Sequence, residues 1–359
     1  MSDNIHIYSF YNNKGGVGKT TLCQNAACLY ASRHPEELVL VIDLCPQANI
    51  SQFLLGGGHK GYSVNQRVQN QASRKNIVGF IDWLLSGNSG FTSISNSYMI
   101  KASTHNSYIP DNLYLIAGDS FLESQTLALN FATMNPGNIN AWAEFVTAIR
   151  RLCKEELYKS KYDSMRVFID CNPSFSIYTQ MALVSSDFLI IPTMSDFSSL
   201  EGIKGILMLL YGKYPSSAVR NYASKVLTFS RQINNFGLTL PSIFELALNN
   251  FTSNSGVASA FGSVNNEIVS FCWDQYQKDP SIFASTSSLI QNKHNFEKTF
   301  FSEVKDFHTA GRISATLGIP LYELTRKTSY YMPDMTHVVC PRDRYAESLQ
   351  HLNAFVSKI

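Results

Sequence analysis

Apolar residues along this chain fall into two patterns. Short, nearly unbroken runs bounded by polar or glycine-rich stretches alternate with longer segments whose apolar positions recur every three to four residues. Residues 5–11 are rich in β-branched and aromatic side chains and predict a strand. A glycine-rich turn follows. Residues 19–32 then predict a helix with Leu22, Ala26 and Leu29 on one stripe. Residues 38–43, Leu-Val-Leu-Val-Ile-Asp, form a continuous apolar run of the kind that suits a strand buried on both faces of a parallel sheet. Strand, helix and strand together make one βαβ unit with a right-handed crossover.

The pattern is lost over residues 56–111, which begin with three glycines and are rich in Ser and Asn. Only residues 77–85, around Phe80, Trp83 and Leu84, predict a helix there, so the stretch reads as a loop-rich insertion. Periodicity resumes with a strand at 113–116. A single long amphipathic helix is predicted at 139–159, with Trp142, Phe145, Ile149 and Leu152 on its apolar face. Strands are predicted at 166–170, ending in Asp170, at 188–191, closed by Pro192, and at 244–248, ending at Asn249 and Asn250. Helices are predicted at 200–211, 257–273 and 344–357. There is no internal repeat and no linker that would divide the chain. The expected fold is one doubly wound α/β domain over 1–359, a mostly parallel sheet flanked by helices, with the 56–111 insertion and a C-terminal helix.

Composition narrows the class. Hydrophobic residues make up 45% of the 359 and charged residues 16%, which supports a large core and argues against wholesale disorder. The net charge of +2 carries no strong electrostatic footprint for nucleic acid, although a local basic face would not show in the total. Seven cysteines with no C-x-x-C pair point to reduced thiols rather than a disulfide frame or zinc knuckle. The start of the sequence has no signal-peptide pattern, and no apolar run approaches about 18 residues. A cytoplasmic protein with no membrane contact is expected.

The candidate chemistry lies in Asn13-Lys14-Gly15-Gly16-Val17-Gly18-Lys19-Thr20-Thr21. A strand, a glycine-rich turn and a helix bring several backbone N–H groups to one point, and the helix N-terminus adds partial positive charge. Polyphosphate is the natural ligand, so ATP with Mg²⁺ is expected. Lys19 would reach the β- and γ-phosphates, and the Thr20 hydroxyl would ligate the metal. Asn13 stands where the usual G-x-x-x-x-G-K-[ST] pattern has its first glycine, and asparagine tolerates the left-handed region that such a turn needs.

The extra lysine, Lys14, sharpens this reading. Lys14-Gly15-Gly16-Val17-Gly18-Lys19-Thr20 resembles the deviant Walker A motif of the ParA/MinD family of ATPases. Residues 41–49, Val-Ile-Asp-Leu-Cys-Pro-Gln-Ala-Asn, resemble that family's first switch, usually D-x-D-P-Q. Residues 167–174, Val-Phe-Ile-Asp-Cys-Asn-Pro-Ser, resemble its Walker B and second switch. The order and spacing of residues 113–119, 182–187, 191–192 and 200–202 agree with the ParA branch, and the resemblance covers roughly half the chain.

The resemblance implies that Lys14 reaches across an ATP-dependent homodimer to the partner's nucleotide, as an arginine finger does. Asp170 would hold the Mg²⁺ hydration shell, and Asn249 or Asn250 would contact adenine. A ParB-like or other partner protein would stimulate hydrolysis, and ATP-bound dimers would bind DNA nonspecifically, with Arg312, Arg326, Lys327, Arg342 and Arg344 as candidate phosphate contacts. One position departs from the pattern. Cys45 stands in place of the second switch aspartate, so unless Asp43 substitutes as the water-orienting group, hydrolysis is expected to be slow. That departure, the insertion and the abundance of Tyr and Phe favour an alternative: a nucleotide-gated regulatory or defence protein that binds a protein partner with no DNA role. A MinD-like membrane helix at the C-terminus is disfavoured by its single lysine, Lys358. An iron–sulfur reductase is disfavoured by the surroundings of Cys45 and Cys171.

Overall fold

The computed structural model describes residues 4–249, 258–285, 288–304, 307–340 and 342–359. Eight strands form one sheet: β1 (Ile5–Phe10), β2 (Leu38–Leu44), β3 (Ile100–Lys101), β4 (Leu113–Ile116), β5 (Met165–Cys171), β6 (Phe188–Met194), β7 (Ser242–Asn249) and β8 (Phe301–Val304). Their order across the sheet is β3-β4-β2-β5-β1-β6-β7-β8. Every pairing is parallel except the edge pair β3–β4. This is the mostly parallel, helix-flanked sheet that the sequence predicts.

The continuous apolar run of β2 is buried along its whole length. Because side chains alternate, Leu38, Leu40, Ile42 and Leu44 join one core layer, while Val39 and Val41 join the layer on the other face. The first layer is covered by helices that include Ala148–Lys159, Ile177–Ser185 and Phe197–Tyr211; the second by Lys19–Arg33 and the C-terminal helix Arg342–Val356. Both faces of the sheet are therefore covered, and the carboxylates Asp43 and Asp170 fall near the ends of β2 and β5.

Register places the site. Phe10 of β1 and Asp43 of β2 both pair with Asp170 of β5, so three strand ends that lead into loops lie side by side at the carboxyl edge. Ligands bind at this edge in open α/β sheets.

Several elements differ from expectation. The long helix predicted at 139–159 is two helices, Ala141–Val146 and Ala148–Lys159. Thr147 separates them, its hydroxyl donating to the Ala143 carbonyl at 2.7 Å, a local bond that competes with the helix ladder. Pro192 does not close its strand but lies within β6. The β1 ladder has already ended where Tyr11 N donates to Ile190 O, and the Pro192 carbonyl then accepts from the Asn12 side chain at 2.8 Å. The missing proline N–H thus falls beyond the paired stretch, where no ladder bond is lost.

Within 56–111, residues Gly58–Gln69 form a helix that apolar periodicity does not reveal. Gly61 is there because the helix crosses the Gln52 carbonyl, and a Cβ would lie 1.8 Å from that oxygen. The C-terminal helix buries Leu352 and Phe355, and Lys358 turns inward to the buried Glu245 at 2.7 Å. Among the described residues, no helix is long and apolar enough to cross a membrane.

Candidate functional site

The loop after β1 is built around Asn12, a residue the sequence reading passed over. Asn12 is buried; its Nδ2 holds the Pro192 carbonyl, and its Oδ1 accepts from Lys14 N at 2.9 Å. That pins the start of the loop to β6. The left-handed positions are Gly16 and Gly18, at φ 74° and 83°, which only glycine adopts without strain. Asn13 is not left-handed, contrary to the expectation drawn from its place in the motif. It packs instead beside Gly202 and Gly205 of the helix Phe197–Tyr211, whose missing side chains make room for it. Val17 is buried, so only its backbone is available to a ligand.

Helix Lys19–Arg33 starts directly from Gly18 with no side-chain cap, so its first N–H groups remain open to an anion. A cavity of about 720 Å³ opens in front of it, lined by Gly15, Gly16, Gly18, Lys19, Thr20 and Thr21. Cys45 to Gln47, Asn49, Glu123 and Cys171 to Ser174 complete the lining. The segments singled out as switches thus meet the glycine loop across one cleft.

Lys19 is 7% exposed, and its Nζ donates to the Lys14 carbonyl at 2.9 Å. Burial lowers its pKa, with Asp170 opposing that shift. Thr20 donates to Asp170 Oδ2 at 2.7 Å. The other oxygen, Asp170 Oδ1, is buried with no hydrogen-bond partner. Burial first, and then the Asp43 carboxylate, push the pKa of Asp170 up. A cation beside Oδ1 would satisfy the orphan oxygen and reverse that shift, so Thr20 and Asp170 fit a Mg²⁺ site.

Asp43 is fully buried with both oxygens engaged. Oδ1 accepts from Cys45 N at 3.0 Å; Oδ2 accepts from Ser51 Oγ at 2.6 Å and Ser51 N at 3.1 Å. Ser51 Oγ also accepts from Gly118 N at 2.8 Å. Ser51, which the motif reading did not single out, therefore ties the first switch to the segment after β4. Replacing it with alanine removes the shorter of the two hydrogen bonds to Asp43 Oδ2 and leaves the buried Gly118 N–H without its acceptor. Ser51→Ala is expected to cost about 2–3 kcal/mol in chemical denaturation, since hydrogen bonds to charged groups contribute about 1.5–3 kcal/mol.

Cys45 is the one cysteine of the seven that is not fully buried. Its sulfur lies 3.8 Å from Asp170 Oδ2. Burial first, then Asp170 and Asp43, push its pKa far up, so it is a neutral thiol.

Lys14 does not reach into the cleft of its own chain. Its ammonium pairs with Asp196, the residue that caps helix Phe197–Tyr211, and lies 3.5 Å from Ser199 Oγ. Burial pushes the Asp196 carboxyl up, but Lys14 and then the Ser199 and Ser198 hydrogen bonds outweigh it and hold the carboxyl at about 2. Asn249 approaches the loop from the end of β7, donating to the Val17 carbonyl at 3.0 Å, but it is not part of the cleft wall. Asn250 lies outside the described residues.

An anion cradle at the carboxyl edge of a parallel sheet, with a strand-end carboxylate beside it, defines the class of P-loop nucleoside-triphosphate-binding proteins. Residues 5–212 match the protein family described as an AAA domain, and this chain belongs to that family in its ParA/MinD-like form. Similar curated proteins include the sporulation initiation inhibitor protein Soj of Bacillus subtilis, 30% identical over 56% of this chain and 63% of that protein. The chromosome-partitioning ATPase Soj of Thermus thermophilus is 25% identical over 55% of this chain and 59% of that protein. The chain thus spans about three fifths of the length of these relatives. Among solved structures, pnob8 ParA superposes with a TM-score of 0.54 at 15% identity, covering 99% of this chain and 97% of that one. Apo McdA from Cyanothece gives 0.52 at 16% identity, over 96% and 99%. These two show the shared fold.

Proposed function

We propose that this protein is a ParA-type ATPase whose ATP-bound form is a homodimer that partitions or positions a cargo with a partner protein. The observation that carries the reading is the pair of lysines on one glycine loop. Lys19 is buried in the cleft of its own chain, while Lys14 stands at the loop's outer side, available to a second subunit once it leaves Asp196. The curated relatives named for chromosome partitioning support the cargo role, and the unsatisfied Asp170 oxygen supports a divalent cation beside the nucleotide.

The face around the cleft supports a protein partner there. Helix Phe121–Thr133 carries Glu123 in its first turn, and Glu123 lines the cleft. Leu127, Phe131 and Met134, spaced i, i+4 and i+7, are 66%, 70% and 76% exposed. An apolar stripe beside a nucleotide cleft is what a sandwich dimer would cover. The direct test is molar mass by light scattering with ATP and with ADP. A dimer with ATP that Lys14→Ala abolishes supports the reading; a monomer in every nucleotide state removes it. Phe131→Asp is expected to weaken the ATP dimer at least tenfold, as loss of a central aromatic anchor does. Asp196→Asn, which releases Lys14 from its pairing within the chain, is expected to tighten the dimer several-fold at most, because a half-exposed ion pair contributes about 0–1 kcal/mol.

In this reading hydrolysis is slow. Asp43 supports the switch through Ser51 and Cys45 N rather than facing water, and Cys45 is a neutral thiol. Among the candidate DNA contacts, Arg312 and Lys327 are exposed, and the side chains of Arg326, Arg342 and Arg344 lie outside the described residues. A regulatory dimer that grips a protein without DNA is the second reading, favoured by the exposed stripe. DNA binding measured with ATP and ADP across a salt series separates the two. ATP-dependent, salt-sensitive binding belongs to the first reading, and its absence leaves the second.

A further inference from the structure

Cys45 stands where the resemblance expects a carboxylate, and its surroundings are those of a cation site. The ligand atoms of Asp43, Cys45 and Asp170 all lie within 4.8 Å of one another. Within the cluster, Cys45 Sγ lies 3.8 Å from Asp170 Oδ2. A tetrahedral centre with metal–sulfur bonds of about 2.3 Å and metal–oxygen bonds of about 2.1 Å holds its ligand atoms about 3.5 Å apart. Small side-chain adjustments therefore close this cluster on one ion. A second, independent observation points to a ligand: Asp170 is completely buried, yet its Oδ1 has no partner.

We propose that Asp43, Cys45 and Asp170 bind a thiophilic divalent cation of the zinc or cobalt type, and that Cys45 makes the site prefer such an ion to magnesium. Magnesium favours six oxygen ligands and gains nothing from sulfur. Zinc and cobalt take thiolate readily, alongside carboxylate. On binding, the Cys45 S–H bond breaks, the proton leaves to solvent and the metal–sulfur bond forms, with no change of oxidation state. The bonds from Ser51 and Cys45 N to Asp43 orient that carboxylate without using all its lone pairs. Thr20 and Cys45 line the same cleft, so the remaining coordination position is open to water or a phosphate oxygen. The inference needs no nucleotide and does not depend on the ATPase reading.

The test is a Co²⁺ titration of the metal-free full-length protein without nucleotide, followed by the sulfur-to-cobalt charge-transfer band. The expected band saturates at one cobalt per chain, is abolished by Zn²⁺ and survives an equal concentration of Mg²⁺. Cys45→Ser and Cys45→Asp each remove it, and Asp170→Asn weakens cobalt binding at least tenfold. The wild-type protein gives a second readout that needs no variant. Zn²⁺, and not Mg²⁺, should protect Cys45 from alkylation, read by mass spectrometry. No band, a band that persists in Cys45→Ser, equal displacement by Mg²⁺, or alkylation unaffected by Zn²⁺ would overturn the proposal. Failure of ATP binding in a protein that shows the band would remove the ATPase reading and leave this one standing.

Discussion

Lys19→Ala is expected to lower ATP affinity by about 10²–10³-fold while the chain stays folded. Lys19 is a buried cation whose counterpart, Asp170, already has Thr20 as a partner. Two charge-assisted contacts to the phosphates, at about 1.5–3 kcal/mol each, account for at least 3 kcal/mol, and 1.4 kcal/mol is one factor of ten. The backbone cradle formed by Gly15 to Gly18 and the open N-terminus of helix Lys19–Arg33 remain, so some affinity survives. Arginine should not rescue, because the planar guanidinium cannot take the compact position beside the Lys14 carbonyl. Calorimetric titration with ATP and Mg²⁺ checks this. A loss smaller than tenfold would mean that nucleotide does not sit against this helix.

The second large effect concerns Cys45. Cys45→Asp is expected to raise Mg²⁺-dependent ATP turnover by about 10²-fold, the lower end of what a water-orienting or general-base group contributes. The new carboxylate would enter a cluster that already holds Asp43 and Asp170, both raised in pKa by burial. Without a cation the variant should therefore lose stability, and Mg²⁺ should restore it, which thermal unfolding with and without Mg²⁺ would show. Turnover unchanged by the substitution would mean that Cys45 is not what limits hydrolysis.

Much of this site was legible in the sequence because its chemistry depends on residue type and spacing. Glycines at 16 and 18, a lysine and threonine opening a helix, and an aspartate ending an apolar strand leave few arrangements open. The strand runs at 38–43 and 166–170 were equally plain, since a strand buried on both faces has no polar positions to blur it. What escaped was set by tertiary contacts. The helix Gly58–Gln69 has too few apolar positions to show a stripe, and the reason for Gly61 is a close crossing of the Gln52 carbonyl that local sequence does not show. Asn12 and Ser51 carry no motif; their importance comes from Pro192, Gly118 and Asp43, which are distant in sequence. The place of Lys14 against Asp196 was also hidden, because 182 residues separate the partners.

The central claim is that ATP is held between two subunits and hydrolysed slowly. It is tested most directly by identifying the nucleotide that stays with the purified protein while measuring its molar mass. The account predicts ATP in a particle of twice the chain's 40.2 kDa, falling to a monomer when Lys14 is replaced by alanine. ADP bound to a 40.2 kDa monomer, with ATP producing no dimer, would contradict it.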